Sequence, residues 1–547
     1  MESQPSSPPW TTAGATWLRA RSWRGSRSGS GAARPGICSP ATPRPSARPW
    51  APRVGADSPT GWCSWYHYYT RVTARHVAGN AAALARHPEL GLRFVQLDDG
   101  YQAAVGDWLD INGKFPGGLA PVVADIRGHG FAAGLWTAPF FAAARARLLR
   151  EHPGWRLLDA RGRPVSTGFN PVWGARTCAL DLTHPEVLAW LSEVFGTFAG
   201  VGFDLFKIDF LYAGLRHGER HDPARSPLEA YRGGLAAIRA AVGEERFLLG
   251  CGAPLGPSVG LVDGMRVSPD VKEQWDSPIA AFFGKGCGYP AARGALRNDV
   301  TRWFTHRRWW LNDPDCLLVR DTRTQLTEEE VRTLVTVLGA TGGMVLLSDD
   351  MAQVSPARLD LARVALPPTG LAPAPTDPLE ARDLVVAGEG GGRLVVLVNL
   401  EDAPERRRLT PQPEPGVWID LWARAAVWEP EVPIPAHGAL ALRFCPASDE
   451  PRLVADGLHL TAGLDGRIAA RFDPEAGVLR VSARDIARAA GWLALWVPAP
   501  WALREEVLPA GVALLGRDGE LVWLAVAASP PWERALRFTK VAPARTR

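Results

Sequence analysis

The sequence is poor in the residues that build disulfide frameworks and metal centres. Seven cysteines occur in 547 residues and none forms a Cys-x-x-Cys pair, which argues against both a disulfide scaffold and a zinc ribbon. No run of 18 apolar residues is present, so no spanning helix is expected. The chain does not open on a basic stretch followed by an apolar one, as a signal peptide would. We therefore expect a cytoplasmic protein with no membrane partner.

The formal net charge of +4 is concentrated near the start of the sequence. Residues 1–60 carry eight arginines and two acidic residues, so the remainder is close to neutral. Without a basic stripe, a nucleic-acid partner is not expected. Tryptophan is abundant, with 23 residues. Its flat, amphipathic ring suits a ligand with apolar faces and hydroxyl edges, such as a sugar.

The composition and periodicity of the sequence change three times along the chain. Residues 1–58 are rich in Arg, Ser, Pro and Gly without any period, and are predicted to be disordered. Residues 59–366 alternate short apolar segments with helical patterns. Residues 367–447 predict a β-sandwich, and residues 448–547 predict a further β-rich extension of open role. The C-terminal strand candidates are Asp383–Ala387, Arg393–Leu400, Gly416–Leu421, Ala439–Phe444, Leu458–Ala462, Val478–Ser482, Trp492–Val497 and Val522–Val526.

Eight candidate strands in residues 59–366, most of them followed by a helical pattern, predict an α/β fold of the (β/α)8 TIM-barrel type. A doubly wound open sheet is the alternative, but no Gly-rich phosphate turn follows the first strand. The strand candidates are Gly61–Tyr66, Phe94–Asp98, Phe131–Thr137, Leu205–Phe210, Phe247–Cys251, Gly264–Val267, Trp309–Asn312 and Met344–Ser348. The helix candidates are Thr73–His87, His184–Ala199, Leu228–Val242, Ala295–His306 and a helix to Leu338 opened by the Thr327–Glu330 capping box.

Catalytic groups of such a barrel lie where its strands end. Five of the eight predicted ends carry carboxylates and none carries histidine. The missing imidazoles argue against a zinc site and a serine triad, and no phosphate-binding loop is present, so neither a metal nor a cofactor is expected. An acid-rich, aromatic-lined site fits glycoside hydrolysis, which needs a pair of carboxyl groups.

Two strand ends supply the best candidates for that pair. Asp209 follows Lys207 by two residues, so both side chains lie on one face, and the ammonium would favour an ionised nucleophile. Asp270 follows a proline and lies four residues after Arg266, and it is the candidate proton donor. The structural alternatives are an ion pair inside the barrel for Asp209 and a loop aspartate beside a solvated arginine for Asp270.

Other strand-end residues suit sugar binding. Asp98 and Asp99 could accept hydrogen bonds from hydroxyl groups, but adjacent strand residues face opposite ways, so one of them could be structural. Trp65 and Trp136 could stack on a sugar ring, or pack in the core. No role is assigned to the remaining strand-end aspartates Asp313, Asp315, Asp349 and Asp350.

A set of short, ordered motifs resembles glycoside hydrolase family 36, the α-galactosidases, and is most similar to the compact bacterial members. The matching stretches span about 260 residues, so they are specific together although each is short. They are Gly-Trp-Cys-Ser-Trp-Tyr (61–66), Gln-Leu-Asp-Asp-Gly-Tyr (96–101), Gly-Asp-Trp (106–108), Lys-Phe-Pro (114–116), Gly-Leu-Trp-Thr-Ala-Pro (134–139), Ala-Leu-Asp-Leu-Thr-His-Pro (179–185), Phe-Lys-Ile-Asp-Phe-Leu (206–211), Gly-Cys-Gly-Ala-Pro-Leu (250–255), Gly-Met-Arg-Val-Ser-Pro-Asp (264–270) and Trp-Leu-Asn-Asp-Pro-Asp-Cys (310–316).

The resemblance implies a retaining exo-α-galactosidase that acts on α-galactoside oligosaccharides. It implies that Asp209 is the nucleophile and Asp270 the acid/base. It further implies a galactose pocket lined by Trp65, Tyr66, Asp98, Asp99, Trp136, Lys207, Cys251 and Arg266.

The sequence departs from the family at its start, because about 60 residues precede Gly61 where relatives carry a β-domain. We expect that domain to be missing and the pocket to be more open than in relatives. Two other functions stay open: transfer of the galactosyl unit to a sugar, as in raffinose-synthase-like relatives, and a catalytically weak carbohydrate-binding protein. The oligomeric state and the natural aglycone also stay open.

Overall fold

The structure is a computed structural model that describes residues 50–55, 57–278, 289–388, 391–410, 412 and 414–541. Most of the predicted disordered segment 1–58 therefore lies outside the described residues. The strands of the first part of the chain are β1 (Thr60–Cys63), β2 (Phe94–Leu97), β3 (Ala132–Thr137), β4 (Phe141–Ala143), β5 (Ser166–Asn170), β6 (Ala175–Ala179), β7 (Phe203–Ile208), β8 (Phe247–Gly250), β9 (Gly264–Arg266), β10 (Leu311–Asp313), β11 (Cys316–Leu317) and β12 (Val345–Leu347).

Nine of these strands form one parallel sheet, in the order β10-β9-β8-β7-β3-β2-β1-β12-β11. The two outer members, β10 and β11, are successive pieces of the single segment 311–317. Because β10 pairs with β9 and β11 pairs with β12, the sheet closes on itself as an eight-stranded barrel. The predicted TIM barrel is confirmed.

Helices pack around the barrel where the periodic apolar patterns predict them. The Thr327–Glu330 capping box is present, with each side chain bonded to the other's backbone N–H. A second capping box, between Ser226 and Glu229, opens the helix Pro227–Val242. The helices are α1 (Trp65–Tyr68), α2 (Ala74–Leu84), α3 (Ala120–Gly128), α4 (Arg147–Glu151), α5 (Pro185–Val201), α6 (Pro227–Val242), α7 (Leu255–Ser258), α8 (Ala292–Thr301), α9 (Glu328–Thr341) and α10 (Pro356–Val364).

Two local features differ from the prediction. The first strand ends at Cys63 instead of Tyr66, because the chain turns at Ser64, whose hydroxyl accepts the Asp98 N–H at 2.9 Å, and continues as α1. The sequence also gave no sign of the small antiparallel sheet β4-β6-β5, which is inserted between β3 and α5.

Residues after 366 form antiparallel sheets, as predicted. A five-stranded sheet, β13-β14-β19-β16-β17, accompanies a two-stranded sheet, β15-β18, and two four-stranded sheets follow, β20-β23-β26-β25 and β21-β22-β27-β24. These strands are β13 (Asp383–Ala387), β14 (Arg393–Val398), β15 (Glu405–Arg408), β16 (Gly416–Asp420), β17 (Ala425–Val427), β18 (Glu431–Ile434), β19 (Ala439–Pro446), β20 (Arg452–Asp456), β21 (Ile468–Asp473), β22 (Val478–Ala483), β23 (Ala490–Trp496), β24 (Trp501–Leu503), β25 (Val512–Asp518), β26 (Leu521–Ala527) and β27 (Trp532–Lys540).

The last two sheets are a second sandwich with a core of its own. Apolar side chains of both sheets, among them Val481, Leu495, Leu524 and Leu536, form one buried cluster. A larger continuous cluster spans the barrel and the first sandwich, and it also includes Val454, Ala494 and Trp523 of the extension. The extension thus has a core of its own and also packs against the preceding part of the chain, while the domain boundaries at 366 and 447 stay a prediction.

One predicted C-terminal strand is wrong. Residues 458–462 form turns, because the Asp456 carboxylate accepts the N–H groups of Leu458 and His459 at 2.9 and 3.2 Å and bends the chain.

Among the described residues, no helix has both the length and the apolar character that crossing a bilayer requires.

The described residues just before the barrel contact it closely. Arg53 Nε lies 2.7 Å from an Asp263 carboxylate oxygen, and the Arg53 side chain is only 23% exposed. Ser58 donates its hydroxyl hydrogen to the Gly342 carbonyl at 3.0 Å. The Trp50 ring lies 3.7 Å from the Arg232 guanidinium carbon. Trp50, Arg53 and Ser58 are therefore in contact with the barrel, although the sequence around them is not periodic.

We expect deletion of residues 1–58 to destabilise the protein relative to deletion of residues 1–49. Loss of the Arg53 and Ser58 contacts should lower the free energy of unfolding by ~1–3 kcal/mol. Urea unfolding of the two shortened chains measures this difference. As a control, Arg93→Ala removes an exposed pair with Asp57, in which both side chains are more than 60% exposed, and should change little. Equal midpoints for the two deletions would contradict the expectation.

Candidate active site

The residues expected from the sequence gather at the C-terminal ends of the barrel strands. Asp209 directly follows β7, Asp98 and Asp99 follow β2, and Asp270 comes four residues after the end of β9. Because parallel strands end on one face of a barrel, these carboxylates share one mouth. A groove of about 1260 Å³ is lined by Ser58, Thr60, Gly91 and Arg93, which lie at or just before the N-terminal ends of β1 and β2. It therefore belongs to the opposite end of the barrel, and the candidate site does not include it.

Asp209 is held by N–H donors. Trp136 Nε1 donates to its Oδ2 at 3.1 Å, and the Phe210 N–H donates to its Oδ1 at 2.6 Å. Its own N–H donates to the Thr137 carbonyl at 2.8 Å. A side chain on Gly252 would bring a Cβ within 2.9 Å of Oδ1. The carboxylate is thus fixed in orientation, and the glycine leaves it room.

Lys207 does not pair with Asp209, contrary to the expectation from their spacing. Its Nζ lies 3.0 Å from Asp98 Oδ2, and both side chains are at most 4% exposed. Burial acts to lower the pKa of Lys207, but the Asp98 charge outweighs it and the pKa is well raised. The strand β7 ends at Ile208, so Lys207 lies inside the barrel while Asp209 lies beyond the strand.

Asp98 and Asp99 are both buried and have different hydrogen-bond partners. Asp98 accepts from Lys207, from Gln96 Nε2 at 2.9 Å and from the Asp99 N–H at 2.9 Å, so it lies in an ion pair inside the barrel. Asp99 accepts from Gln102 Nε2 at 2.6 Å and from Trp173 Nε1 at 2.7 Å. Burial raises the pKa of Asp99 to about 6. Sugar binding by either residue stays a prediction.

Trp173 is a site residue that the sequence analysis missed. It lies in the turn between β5 and β6, and its ring centroid is 6.5 Å from that of Trp136 and 5.4 Å from that of Phe210. The small inserted sheet carries it over the end of β3. The only sequence signal is an aromatic residue in a Pro-Val-Trp-Gly loop, a place where binding residues concentrate.

Arg266 is buried rather than solvated, with 3% of its side chain exposed. Its Nε lies 3.0 Å from Asp313 Oδ2, its NH2 2.8 Å from Asp315 Oδ1 and its NH1 3.4 Å from Asp270 Oδ1. The Tyr66 hydroxyl also donates to Asp315. The two unassigned aspartates of the seventh barrel strand are therefore the main partners of the predicted pocket arginine.

Asp270 is the most accessible member of this group, with 43% of its side chain exposed. Partial burial raises its pKa, and Arg266 and Lys207 oppose that shift. The charge of Asp209 also raises the pKa of Asp270. A carboxylic acid with a raised pKa can hold a proton near neutral pH and deliver it.

Cys251 and Trp65 are the two remaining residues of the predicted pocket. Cys251 directly follows β8, and burial together with Asp209 raises the pKa of its thiol, which is neutral. Trp65 is half-buried and its ring packs edge-on against Tyr69 at 5.2 Å. The Tyr69 hydroxyl donates to Glu273 at 3.0 Å, which links Trp65 to the loop after Asp270. Trp65 is therefore the one predicted residue that is tied to the site only through other side chains.

Within the described residues, no group of three or more His, Cys, Asp or Glu side chains has the arrangement to hold a metal ion. The site residues offer carboxylates, aromatic faces and two cations, each already paired with a carboxylate. This chemistry suits a neutral polyhydroxylated ligand. The role of each residue in binding or catalysis stays a prediction.

Comparisons with known proteins agree with this geometry. The sequence profile of the melibiase family matches residues 60–210. A structure of the α-galactosidase of Thermus thermophilus in complex with stachyose is 35% identical, with a TM-score of 0.52, over 58% of this chain and 67% of that one. Its complex with p-nitrophenyl α-D-galactopyranoside aligns at 33% identity and a TM-score of 0.53, over 61% and 66%.

Two curated bacterial relatives match over shorter stretches. An α-galactosidase of Escherichia coli is 29% identical over 117 residues, or 20% of this chain and 16% of its own length. The A type blood α-D-galactosamine galactosaminidase of Flavonifractor plautii is 30% identical over 131 residues, or 22% and 12%. These relatives are bacterial, as the family-36 resemblance suggests. With its barrel, its strand-end carboxylates and two thirds of the Thermus enzyme aligned, the chain belongs to the melibiase family of α-galactosidases.

Proposed function

We propose that this protein is a retaining exo-α-galactosidase that hydrolyses terminal α-D-galactosyl residues of oligosaccharides. The observation that carries the proposal is the difference between two carboxyl groups at one barrel mouth. Asp209 is fixed by N–H donors, whereas Asp270 is partly exposed with a raised pKa. Two carboxyl groups in contrasting environments are what a nucleophile and a general acid require.

In the first step, Asp209 attacks the anomeric carbon while Asp270 donates its proton to the leaving oxygen. The glycosyl group is then held as an ester on Asp209. In the second step, Asp270 accepts a proton from water, and the water attacks the anomeric carbon and releases galactose. A retaining enzyme needs the two carboxyl groups ~5–5.5 Å apart, against ~6.5–9.5 Å in an inverting one, and we expect the shorter spacing.

The other side chains of the mouth bind the sugar. We assign stacking on the sugar ring and the shape of the pocket to Trp136, Trp173 and Trp65. We assign hydroxyl recognition to Asp99, whose oxygens already accept from N–H groups and have further lone pairs. The Thermus complexes with stachyose and with an aryl galactoside support an α-galactoside substrate. The five described cysteines are all free and buried, which fits the proposed cytoplasmic location.

The proposed activity is tested with purified full-length protein and a panel of α-linked glycosides. We expect turnover of p-nitrophenyl α-galactoside and stachyose that exceeds turnover of α-glucosides, α-galactosaminides and α-N-acetylgalactosaminides. Proton NMR of the first product should show the α-anomer of galactose, because double displacement retains configuration. Inverted product would contradict the mechanism. Products longer than the substrate would favour galactosyl transfer, and thermal stabilisation by galactose without turnover would favour a binding protein.

Asp209→Ala should lower kcat on every α-galactoside by at least ~10³-fold, since no group remains to form the covalent intermediate. The unfolding midpoint should change little, because no cation among the described residues forms an ion pair with Asp209. Asp350→Ala is the matched control: this aspartate also follows a barrel strand, but its carboxylate bonds Ala352 and Gln353 of its own turn and the Tyr68 side chain. Residual activity of Asp209→Ala close to that of the control would refute the assignment.

Asp270→Ala should lower kcat/KM on stachyose by ~10²–10⁴-fold and on p-nitrophenyl α-galactoside far less, because an aryl leaving group needs little protonation.

In the unmodified enzyme, activity should fall as the pH rises through the raised pKa of Asp270, because the acid loses its proton there. This fall is the alkaline limb of the pH profile, and it should be absent in Asp270→Ala. Asp276→Ala, at a neighbouring aspartate of similar exposure that pairs with Arg293, serves as control. Equal losses on both substrates would show that Asp270 is not the acid.

A further inference from the structure

Asp315 interrupts the seventh barrel strand and lies entirely inside the protein. Its side chain is 0% exposed, and its φ of 84° lies in the left-handed region, which a residue other than glycine seldom adopts. The strand breaks there into β10 and β11. Backbone strain of this kind persists only when the surroundings fix it, and it concentrates at functional sites.

The Asp315 carboxylate joins three elements of the barrel mouth. Its Oδ2 accepts from the Tyr66 hydroxyl, which α1 supplies, and from the Val271 N–H at 2.8 Å. Its Oδ1 lies 2.8 Å from Arg266 NH2 and accepts the Cys316 N–H at 2.7 Å. Val271 is the residue directly after Asp270, so Asp315 holds the backbone that carries the proposed acid/base.

We propose that Asp315 is a positioning residue for the acid/base step: it fixes the backbone after Asp270 and shares the Arg266 guanidinium, so that Arg266 does not form a close ion pair with Asp270. The proposal rests on the proposed function, in which Asp270 must carry a proton. It extends that function to a third aspartate, which acts through Val271 and Arg266.

The distances around Arg266 support this competition for its charge. The guanidinium lies 2.8 Å from Asp315 and 3.0 Å from Asp313, but 3.4 Å from Asp270. Two buried carboxylates thus meet the cation more closely than the exposed one does. A cation pulled closer to Asp270 would favour its ionised form and remove the proton needed for the leaving group.

The charged and titratable groups that face Asp315 also favour its ion pair with Arg266. Burial raises the pKa of Asp315 to about 6, against the opposing charge of Arg266, so it is ionised above that pH and holds the cation. Asp299 on α8 is buried, and burial together with the charges of Asp315 and Asp313 raises its pKa well above the usual value, which disfavours a charge that would compete for Arg266. The groups around Asp315 are Tyr66, Lys207, Arg266, Asp270, Asp299, Asp313 and Cys316.

The test compares pH profiles of kcat/KM for the full chain and for Asp315→Asn, with stachyose and with p-nitrophenyl α-galactoside. With the Asp315 charge removed, Arg266 is free to approach Asp270, and the alkaline limb should move to lower pH by ~1 unit or more. Activity on stachyose at pH 7 should fall ~10-fold or more and activity on the aryl substrate less. Tyr66→Phe, which removes a hydrogen bond to Asp315 but no charge, should leave the limb in place.

The control for a merely structural role is Asp349→Asn. Asp349 is also a buried carboxylate at a strand end, 2.6 Å from an arginine, Arg320, but it does not bond Arg266 or Val271. Its substitution should lower stability without moving the limb. If Asp315→Asn does not fold, Asp313→Asn removes another partner of Arg266 and should move the limb in the same direction.

Two failures are distinguishable. An unmodified protein that turns over no α-glycoside would overturn the proposed function and this proposal with it. An active protein whose alkaline limb stays in place in Asp315→Asn, with equal losses on the two substrates, would overturn the positioning role alone. The same holds if Asp313→Asn is the variant that folds and its limb does not move.

Discussion

The buried Arg266 guanidinium is the constraint on which the barrel mouth depends. A cation that is 3% exposed must be neutralised, and two carboxylates of one interrupted strand do this at 2.8 and 3.0 Å. Removal of one partner from such a buried pair costs ~3–5 kcal/mol, which explains why the strand tolerates a strained backbone at Asp315. Barrel closure and the charge balance of the site therefore depend on the same segment, 311–317.

A second buried pair divides the site chemically. Lys207 and Asp98 form an ion pair inside the barrel, and the Lys207 charge still acts on Asp270. The two carboxyl groups proposed for catalysis differ from this pair, because Asp209 is held by neutral N–H donors and Asp270 is partly exposed. Fixed charges inside the barrel and oriented carboxyl groups at its mouth are what a preorganised active site requires.

The parts of the chain outside the barrel support this mouth to different degrees. The small inserted sheet reaches it directly, because Trp173 bonds Asp99. The first sandwich shares the barrel's core, so it is a structural continuation of the barrel. The second sandwich has a core of its own, but its Ala494 and Trp523 also belong to the cluster that the barrel and the first sandwich share. Its Arg467 side chain donates to the carbonyls of Pro367 and Pro368.

Local signals in the sequence were sufficient to predict the barrel and the gathering of carboxylates at one end of it. Apolar periodicity and capping boxes are local signals, and carboxylates at strand ends must meet once parallel strands close, so these predictions needed no knowledge of contacts. The pairing of the buried charges, by contrast, follows only from the folded chain. Lys207 lies two residues from Asp209 but bonds Asp98, and Asp315 bonds a tyrosine 249 residues away. Partner choice between buried charges depends on strand register and depth in the barrel, which sequence spacing does not encode.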